Sequence, residues 1–205
     1  MAIEPRSDAP RRMTSEARRA QLAEATLAVV AERGYTGLTL DAVAERAGVT
    51  RNLLYHYFPR GHADLFVAAV ELAGSTLTEG WVVDSDVPLE ERLAANFQRF
   101  FEHALEPSDV WLVHRKGRLL NEPELTALGE RYRAIVVEAI ALNHFGTEHP
   151  GPFAESALRS FLDFAEKALD ECRELELDRD ATYRLLADTL LAVVASVKAS
   201  ASAPS

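Results

Sequence analysis

A short stretch after residue 50 concentrates side chains that can bond nucleic acid. At about 100° per residue, with Leu54 pointing inward, Asn52 and His56 project straight outward from a helix. Arg51, the first residue of that helix, extends past its end. Amide, imidazole and guanidinium groups bond phosphate oxygens and the edges of bases in a major groove. The exposed side and its flanks comprise Arg51, Asn52, Leu53, Tyr55 and His56.

Two helices joined by a tight turn are predicted to position this face. In residues 38–58 (LTLDAVAERAGVTRNLLYHYF), Leu40 occupies the first position of a twenty-residue helix-turn-helix. Ala44 then falls at the fifth position, where the two helices cross closely, and Gly48 at the ninth, where the turn favours positive φ. The positions that this motif buries hold Val43, Val49 and Leu54. The alternative is a helical hairpin with an ordinary solvated face, and the register argues against it.

Helical periodicity also dominates the rest of the chain, which contains no convincing alternation of apolar and polar residues. The predicted helices cover about residues 15–33, 40–47, 51–58, 62 onward, 88–105, 111–120, 121–145, 153–175 and 180–198. Ser15, Thr39 and Thr50 are the candidate N-caps of the first three. Asn121 and Glu124 have capping-box spacing. We therefore predict an all-α fold.

Composition limits the possible functions. The 205 residues carry a formal net charge of −10 and one cysteine, Cys172, so an intramolecular disulfide is excluded. Residues 1–60 hold nine Arg against seven acidic residues, a net of +2, and the remainder carries −12. The acidic total therefore does not oppose phosphate binding by the first part. Apolar stretches such as residues 190–197 are too short to span a membrane, and the N-terminus has no apolar leader, so a cytoplasmic protein is expected.

Catalytic motifs are absent from the sequence. There is no G-x-S-x-G, H-E-x-x-H, C-x-x-C or P-loop pattern, and the six His have no metal-ligand spacing. We expect no enzymatic activity, no cofactor and no metal. His114 lies near Arg115 and Arg118, which is compatible with an anionic-ligand or catalytic site and also with a polar helix face.

The stretch ERGYTGLTLDAVAERAGVTRNLLYHYFPRGHADLF (residues 32–66) resembles the DNA-binding domain of the tetracycline-repressor (TetR) family of bacterial regulators, over about residues 15–70. The resemblance implies a three-helix DNA-binding domain with a helix-turn-helix, followed by a linking helix and a helical ligand-binding and dimerisation domain. It also implies a homodimer on a palindromic operator. The implied contacts are phosphate for Thr39, Thr50 and Tyr55, base or phosphate for Arg51, Asn52 and His56, and the protein core for Tyr57 and Phe58.

Two positions depart from the family pattern. Leu53 stands where the family usually has Thr or Ser, so it cannot bond phosphate but can touch a thymine methyl. Gly61 stands where the family usually has Lys at the start of the fourth helix. Arg60 or His62 is expected to take over that phosphate contact.

Aromatic residues after position 61 suggest a pocket for a small apolar effector, because such sites combine apolar walls with a few polar groups. The candidates for its walls are Trp81, Phe97, Phe101, His103, Trp111, His114 and Arg118. Each one singly has a simpler interpretation as an ordinary core or surface residue.

The last two predicted helices are apolar around half of their circumference, so they must bury more than one side. One side can pack on the chain's own core while another meets a twofold partner in a four-helix bundle. The candidate interface residues are Phe161, Phe164, Ala168, Leu186, Leu190, Val193 and Val197. Two fully buried helices in a monomer are the alternative.

Taken together, the sequence predicts a transcriptional regulator, most simply a repressor. It would bind double-stranded DNA at an inverted-repeat operator as a homodimer and be released by a small apolar effector. The predicted organisation is a disordered arm (1–13), a DNA-binding domain (14–60), an effector and dimerisation domain (61–199) and a disordered tail (200–205). The alternatives are a helical small-molecule-binding protein or enzyme with a vestigial helix-turn-helix, and an activator without an effector.

Overall fold

A computed structural model describes residues 13–79, 81, 86–105, 109–120 and 122–202. This part of the chain forms nine α-helices and a 3₁₀ turn at Tyr35–Gly37, with no β-strand, so the all-α prediction is confirmed. The helices are α1 (Ser15–Arg33), α2 (Leu40–Ala47), α3 (Arg51–Tyr57), α4 (His62–Thr78), α5 (Leu89–Leu105), α6 (Asp109–Leu119), α7 (Pro123–Phe145), α8 (Pro152–Glu174) and α9 (Arg179–Ser202).

The chain divides into two compact units, Met1–Ala69 and Val70–Ser205. The division falls inside α4, whereas the sequence placed a boundary after residue 60. The predicted N-terminal arm lies outside the described residues except for Met13. The predicted tail begins too early, because α9 continues to Ser202. Alanine and serine, which make up most of that last turn, are compatible with a helix.

The first unit is built on a small apolar core shared by α1, α2, α3 and the first half of α4. Leu22, Val43 and Leu54 are fully buried in it, and Phe58 and Phe66 are nearly so. The cap of α1 is Thr14 and not the predicted Ser15. The Thr14 hydroxyl accepts a hydrogen bond from the amide of Ala17 at 3.1 Å.

The turn between α2 and α3 has the predicted glycine geometry. Gly48 lies in the left-handed region with φ of 66° and ψ of 37°, which favours glycine over any residue with a Cβ. Its amide bonds the carbonyl of Glu45, and the amide of Val49 bonds that of Ala44 at 2.9 Å. Ala44 is buried where the helices cross, and Val49 is half-buried.

The second unit packs its apolar side chains between α5, α7, α8 and α9, with Leu77 of α4 and Trp111 of α6 in the same core. α7 begins after Glu122 with Pro123 in its first turn and no side-chain cap, so the predicted capping box is not formed. Asn121 itself lies outside the described residues. Within the described ranges, none of the helices is long and apolar enough to cross a membrane.

Candidate nucleic-acid interface and ligand cavity

The exposed face of α3 is the one that the sequence predicted. Leu54 and Phe58 are buried and Leu53 is half-buried, which turns the opposite side of the helix to solvent. That side carries Arg51, Asn52, Tyr55 and His56, all exposed. Tyr57 is half-buried, and its ring meets that of His56 edge to face at 5.0 Å. α3 therefore presents amide, phenol, imidazole and guanidinium groups together.

Thr39 and Thr50 cap α2 and α3. The Thr39 hydroxyl accepts from the amide of Ala42 at 3.1 Å, and the Thr50 hydroxyl from the amide of Leu53 at 3.4 Å. Both predicted caps are confirmed. A hydroxyl that accepts in this way still has its own O–H to donate, and it stands at a helix N-terminus, where free amides and the helix dipole favour an anion. Both positions therefore suit a phosphate oxygen.

The two arginines of the predicted site already have acidic neighbours. Arg51 Nη1 lies 3.3 Å from Asp41 of α2, and Arg60 Nε lies 2.6 Å from Asp64 of α4. Both guanidinium groups are more than half exposed, at 53% and 59%. The Arg51–Asp41 pair is exposed on both sides, and such a pair contributes only about 0 to 1 kcal/mol, so a phosphate can compete for Arg51.

Two features of the structure require a glycine at position 61: its backbone conformation and the close approach of neighbouring side chains. Its φ is 62°, and a Cβ at this position would lie 3.3 Å from Cε1 of Tyr55. A side chain there would be strained and would press on a residue of the candidate interface, which explains the missing lysine. His62 packs its ring edge to face on Tyr35 at 5.1 Å, while Arg60 remains exposed.

Sequence reasoning missed the residue that fixes the C-terminal end of α3. Arg19 of α1 donates from Nη1 to the carbonyl oxygen of Tyr57 at 2.6 Å. Its guanidinium also lies 4.6 Å from the centre of the Phe58 ring. This contact joins residues 38 apart in sequence, and no local pattern marks it.

The second unit contains a cavity of about 370 Å³ between α5, α7, α8 and α9. Trp81 and Phe97, both predicted pocket residues, line it. Phe101 and Trp111 are core residues next to this region and not part of its wall, and His103 lies on α5 outside the lining. The sequence missed the polar groups of the wall, which are Asn96, Asn143, His144 and Tyr183.

Arg118 and His114, the remaining predicted pocket residues, belong to a buried charge cluster. The guanidinium groups of Arg115, Arg118 and Arg133 all contact the carboxylate of Glu166. Arg115 also bonds Asp170 at 2.6 Å. Burial, followed by the positive charges of these three arginines, lowers the pKa of His114 to about 4. Because the cluster matches each guanidinium with a carboxylate, it is an internal network joining α6, α7 and α8.

Four of the predicted dimer residues are largely buried within the same chain, although one of them, Val197, also lines a groove with Phe153 and Val193. The four are Phe161, Leu186, Leu190 and Val197, each at most 8% exposed. Periodicity marked the wide apolar sector of each helix but could not say which half packs on the chain's own core. Phe164 is 41% exposed, and Ala168 and Val193 are half-buried. The large exposed apolar side chains of α8 and α9 are Phe153, Phe164, Leu185 and Leu191.

Comparison with known proteins agrees with this geometry. The model of the family described as bacterial regulatory proteins, tetR family, matches residues 22–69. The HTH-type transcriptional activator FasR of Mycolicibacterium smegmatis is 28% identical over 126 residues, which cover 57% of this chain. The match spans 53% of the length of FasR.

Solved structures extend the likeness to both units. A tetR-family transcriptional regulator from Streptomyces coelicolor matches with a TM-score of 0.72 and 26% identity, over 91% of this chain and 90% of that one. SmeT, the repressor of the Stenotrophomonas maltophilia multidrug efflux pump SmeDEF, matches with a TM-score of 0.64 and 21% identity, over 87% and 90% of the two chains. Residues 22–69 thus match the DNA-binding domain of bacterial regulatory proteins of the tetR family, and the fold of the chain is similar to that of a solved tetR-family regulator.

Proposed function

We propose that this protein is a transcriptional repressor that binds an inverted-repeat operator as a homodimer and is released by a small apolar effector. The observation that carries the proposal is the exposed face of α3, which presents Asn52 and His56 on a helix whose N-terminus is capped by Thr50. Asn bonds adenine through its amide, and the capping threonines suit phosphates on either side. Base contacts would then specify the sequence, and phosphate contacts would fix the register.

A second copy of the chain is the proposed partner of α8 and α9. Phe153 and Leu185 are each about half or more exposed, at 65% and 52%. Phe153 also lines a groove of about 300 Å³ together with Ala157, Val193 and Val197. Exposed apolar side chains grouped in this way gain most from burial against an identical face. The interface assignment therefore moves to these residues, with Phe164, Ala168 and Val193 retained.

The cavity is the proposed effector site, and α4 is the proposed link between effector binding and DNA binding. The indole N–H of Trp81, on the cavity wall, donates to the carbonyl oxygen of Leu77 in α4 at 3.1 Å. A ligand that displaces Trp81 would therefore act on the end of α4. When a dimer binds DNA, its two DNA-binding domains must present their α3 helices about 34 to 36 Å apart. An effector that favours another position of α4 would weaken DNA binding, and DNA would weaken effector binding equally.

Selection of bound DNA from a random pool tests the proposal. We expect an inverted repeat, and recovery of no preferred sequence would overturn DNA recognition. Asn52→Ala and His56→Ala should each relax specificity at particular base pairs, by about 1 to 3 kcal/mol per lost bidentate contact. Gln98→Ala, which removes an exposed amide of the second unit, is the matched control. If all three variants bind the selected site like the parent, α3 is not the reading helix.

One relative favours a second candidate, an activator. FasR is named as a transcriptional activator. An activator would use the same α3 face and the same dimer but would raise transcription from the promoter beside its site. A reporter placed behind the selected site separates the two, because deletion of a repressor raises its signal and deletion of an activator lowers it.

A further inference from the structure

The wall of the cavity has a composition that limits its ligand. Aromatic rings from several elements line it, among them Trp81, Phe97, Phe100 and Tyr183. The rings of Phe97 and Tyr183 meet edge to face at 5.0 Å, which leaves flat surfaces on which a planar or alicyclic body can lie. The volume of about 370 Å³ is at the lower end of the roughly 300 to 1,000 Å³ typical of small-molecule sites.

The described residues of this wall carry no acidic side chain and no Lys or Arg. A carboxylate or an ammonium group that entered it would lose its hydration without meeting an opposite charge, and that loss is strongly unfavourable. The guanidinium groups of the second unit's buried cluster are engaged with Glu166 and Asp170 and lie outside the lining.

The imidazole of His144 places a buried polar atom at the wall that still needs a hydrogen bond. His144 is only 7% exposed, and within the described part of the chain its Nε2 has no hydrogen-bond partner. Burial, and to a smaller extent the positive charge of Lys198, lowers the pKa of His144, so the imidazole is neutral near pH 7. A hydroxyl both donates and accepts, and it can therefore satisfy Nε2 in either tautomer.

We infer that the cavity takes an uncharged molecule with a compact aromatic or alicyclic body and a hydroxyl group that bonds Nε2 of His144. The inference rests on the proposed effector role of the cavity and names the class of the effector. It assigns recognition to two features: apolar walls that exclude charge, and one buried acceptor or donor that selects the hydroxyl.

Four naphthalenes that differ in one substituent test this class by calorimetry on the full chain. They are 1-naphthylmethanol, 1-methylnaphthalene, 1-naphthoate and 1-naphthylmethylammonium. We expect 1-naphthylmethanol to bind about tenfold more tightly than 1-methylnaphthalene, the value of one hydrogen bond to a buried group. The two ions should bind at least about 100-fold more weakly than the alcohol. Equal affinities for the alcohol and either ion would overturn the inference, as would equal affinities for the alcohol and the hydrocarbon.

Two variants assign the binding to this cavity. Ala187 lies on the wall, and Ala187→Phe should fill the space and abolish binding of the alcohol. His144→Phe should keep binding of 1-methylnaphthalene and remove the tenfold advantage of the alcohol, while His149→Phe, at an exposed position, should keep that advantage. Retained alcohol binding in Ala187→Phe would place the site elsewhere and overturn the assignment.

The same alcohol added to the complex with selected DNA separates this inference from the proposed function. If 1-naphthylmethanol binds with the expected preference but leaves DNA affinity unchanged, the effector role fails and the ligand class stands. If the ions bind as well as the alcohol, the ligand class fails whatever happens to DNA affinity.

Discussion

Glu166→Gln is predicted to destabilise the second unit by about 3 kcal/mol. The side chain of Glu166 is 9% exposed, and its two oxygens accept from three guanidinium groups. Arg133 is the most deeply buried of the three arginines, with 6% of its side chain exposed. A glutamine has nearly the same shape, but it removes the negative charge and turns an NH₂ group toward groups that can only donate.

The magnitude follows from the surroundings of the cluster. Removing one partner of a buried pair costs about 3 to 5 kcal/mol, because a buried charge is left uncompensated. Asp170 still bonds Arg115, and Asp163 still bonds Arg133 at 3.0 Å. These remaining carboxylates place the expected loss at the lower end of that range. For a chain of this length, the loss corresponds to a fall in Tm of roughly 6 to 12 °C.

Urea unfolding followed by tryptophan fluorescence measures this loss in the second unit. Both tryptophans of the chain lie there, and the indole N–H of Trp111 bonds Asp170 in the cluster at 3.1 Å. Glu171→Gln is the matched control, because its pair with Lys167 is exposed and one helical turn long. That control should lose no more than about 0.5 kcal/mol. Equal losses in the two variants would refute the account of Glu166 as the centre of the network.

Three further predictions concern the caps, the close contacts and the acid sensitivity of the fold. Thr50→Ala should lower the free energy of unfolding by about 1 kcal/mol, measured by urea unfolding followed by circular dichroism, because the amide of Leu53 loses its acceptor. Thr50→Ser should recover most of that loss. Equal stabilities of the two variants would exclude a capping role for Thr50. Gly74→Ala should destabilise the chain by about 1 to 3 kcal/mol, because the new Cβ would overlap the Tyr132 ring, although alanine normally favours a helix. Ser75→Ala, on the exposed side of the same helix, should not destabilise it. A more stable Gly74→Ala variant would contradict this packing. The pKa of His114 is about 4 in the folded chain and 6.5 when unperturbed, so the unfolded chain binds the extra proton and stability falls as pH drops through that window. When the pH falls from 7 to 4.5, the free energy of unfolding of the parent should therefore fall by about 2 to 3 kcal/mol more than that of His114→Phe. Equal decreases in the two proteins would show that His114 is not the group responsible.

Local rules were sufficient to predict the helix-turn-helix. The orientation of α3 follows from the helical repeat once Leu54 is placed inward, and burial of Leu54 and exposure of Asn52 agree with it. The left-handed turn at Gly48 and the caps at Thr39 and Thr50 also depend on residues within a few positions. Where the cap prediction failed, at α1, the competing residue was the adjacent Thr14. Two adjacent hydroxyl residues give no local basis for choosing between them.

Features that depend on contacts between residues far apart in the sequence could not be predicted from it. Arg118 and His114 were assigned to a pocket as polar groups near aromatic residues, but the carboxylate of Glu166, 48 residues away in sequence, binds Arg118 in the charge cluster. Two of the polar residues of the cavity wall, Asn143 and His144, lie on the long helix α7, whose buried residues are spread around its circumference. A helix buried on several sides has no clear amphipathic pattern, so periodicity cannot identify which residues face a cavity.

Internal pairing changes what the charge of the first unit means for DNA recognition. Residues 1–60 have a net charge of +2, but Arg46, Arg51 and Arg60 each have a carboxylate neighbour in the structure. The pairs of Arg46 and Arg51 are exposed on both sides and cost little to exchange for a phosphate, so these two arginines remain available at a well-fitted site. At a poorly fitted site the carboxylates stay beside the phosphate backbone and oppose binding. We therefore predict that the acidic partners weaken non-specific binding more than specific binding, and that selectivity depends on the hydrogen bonds of α3 rather than on total charge.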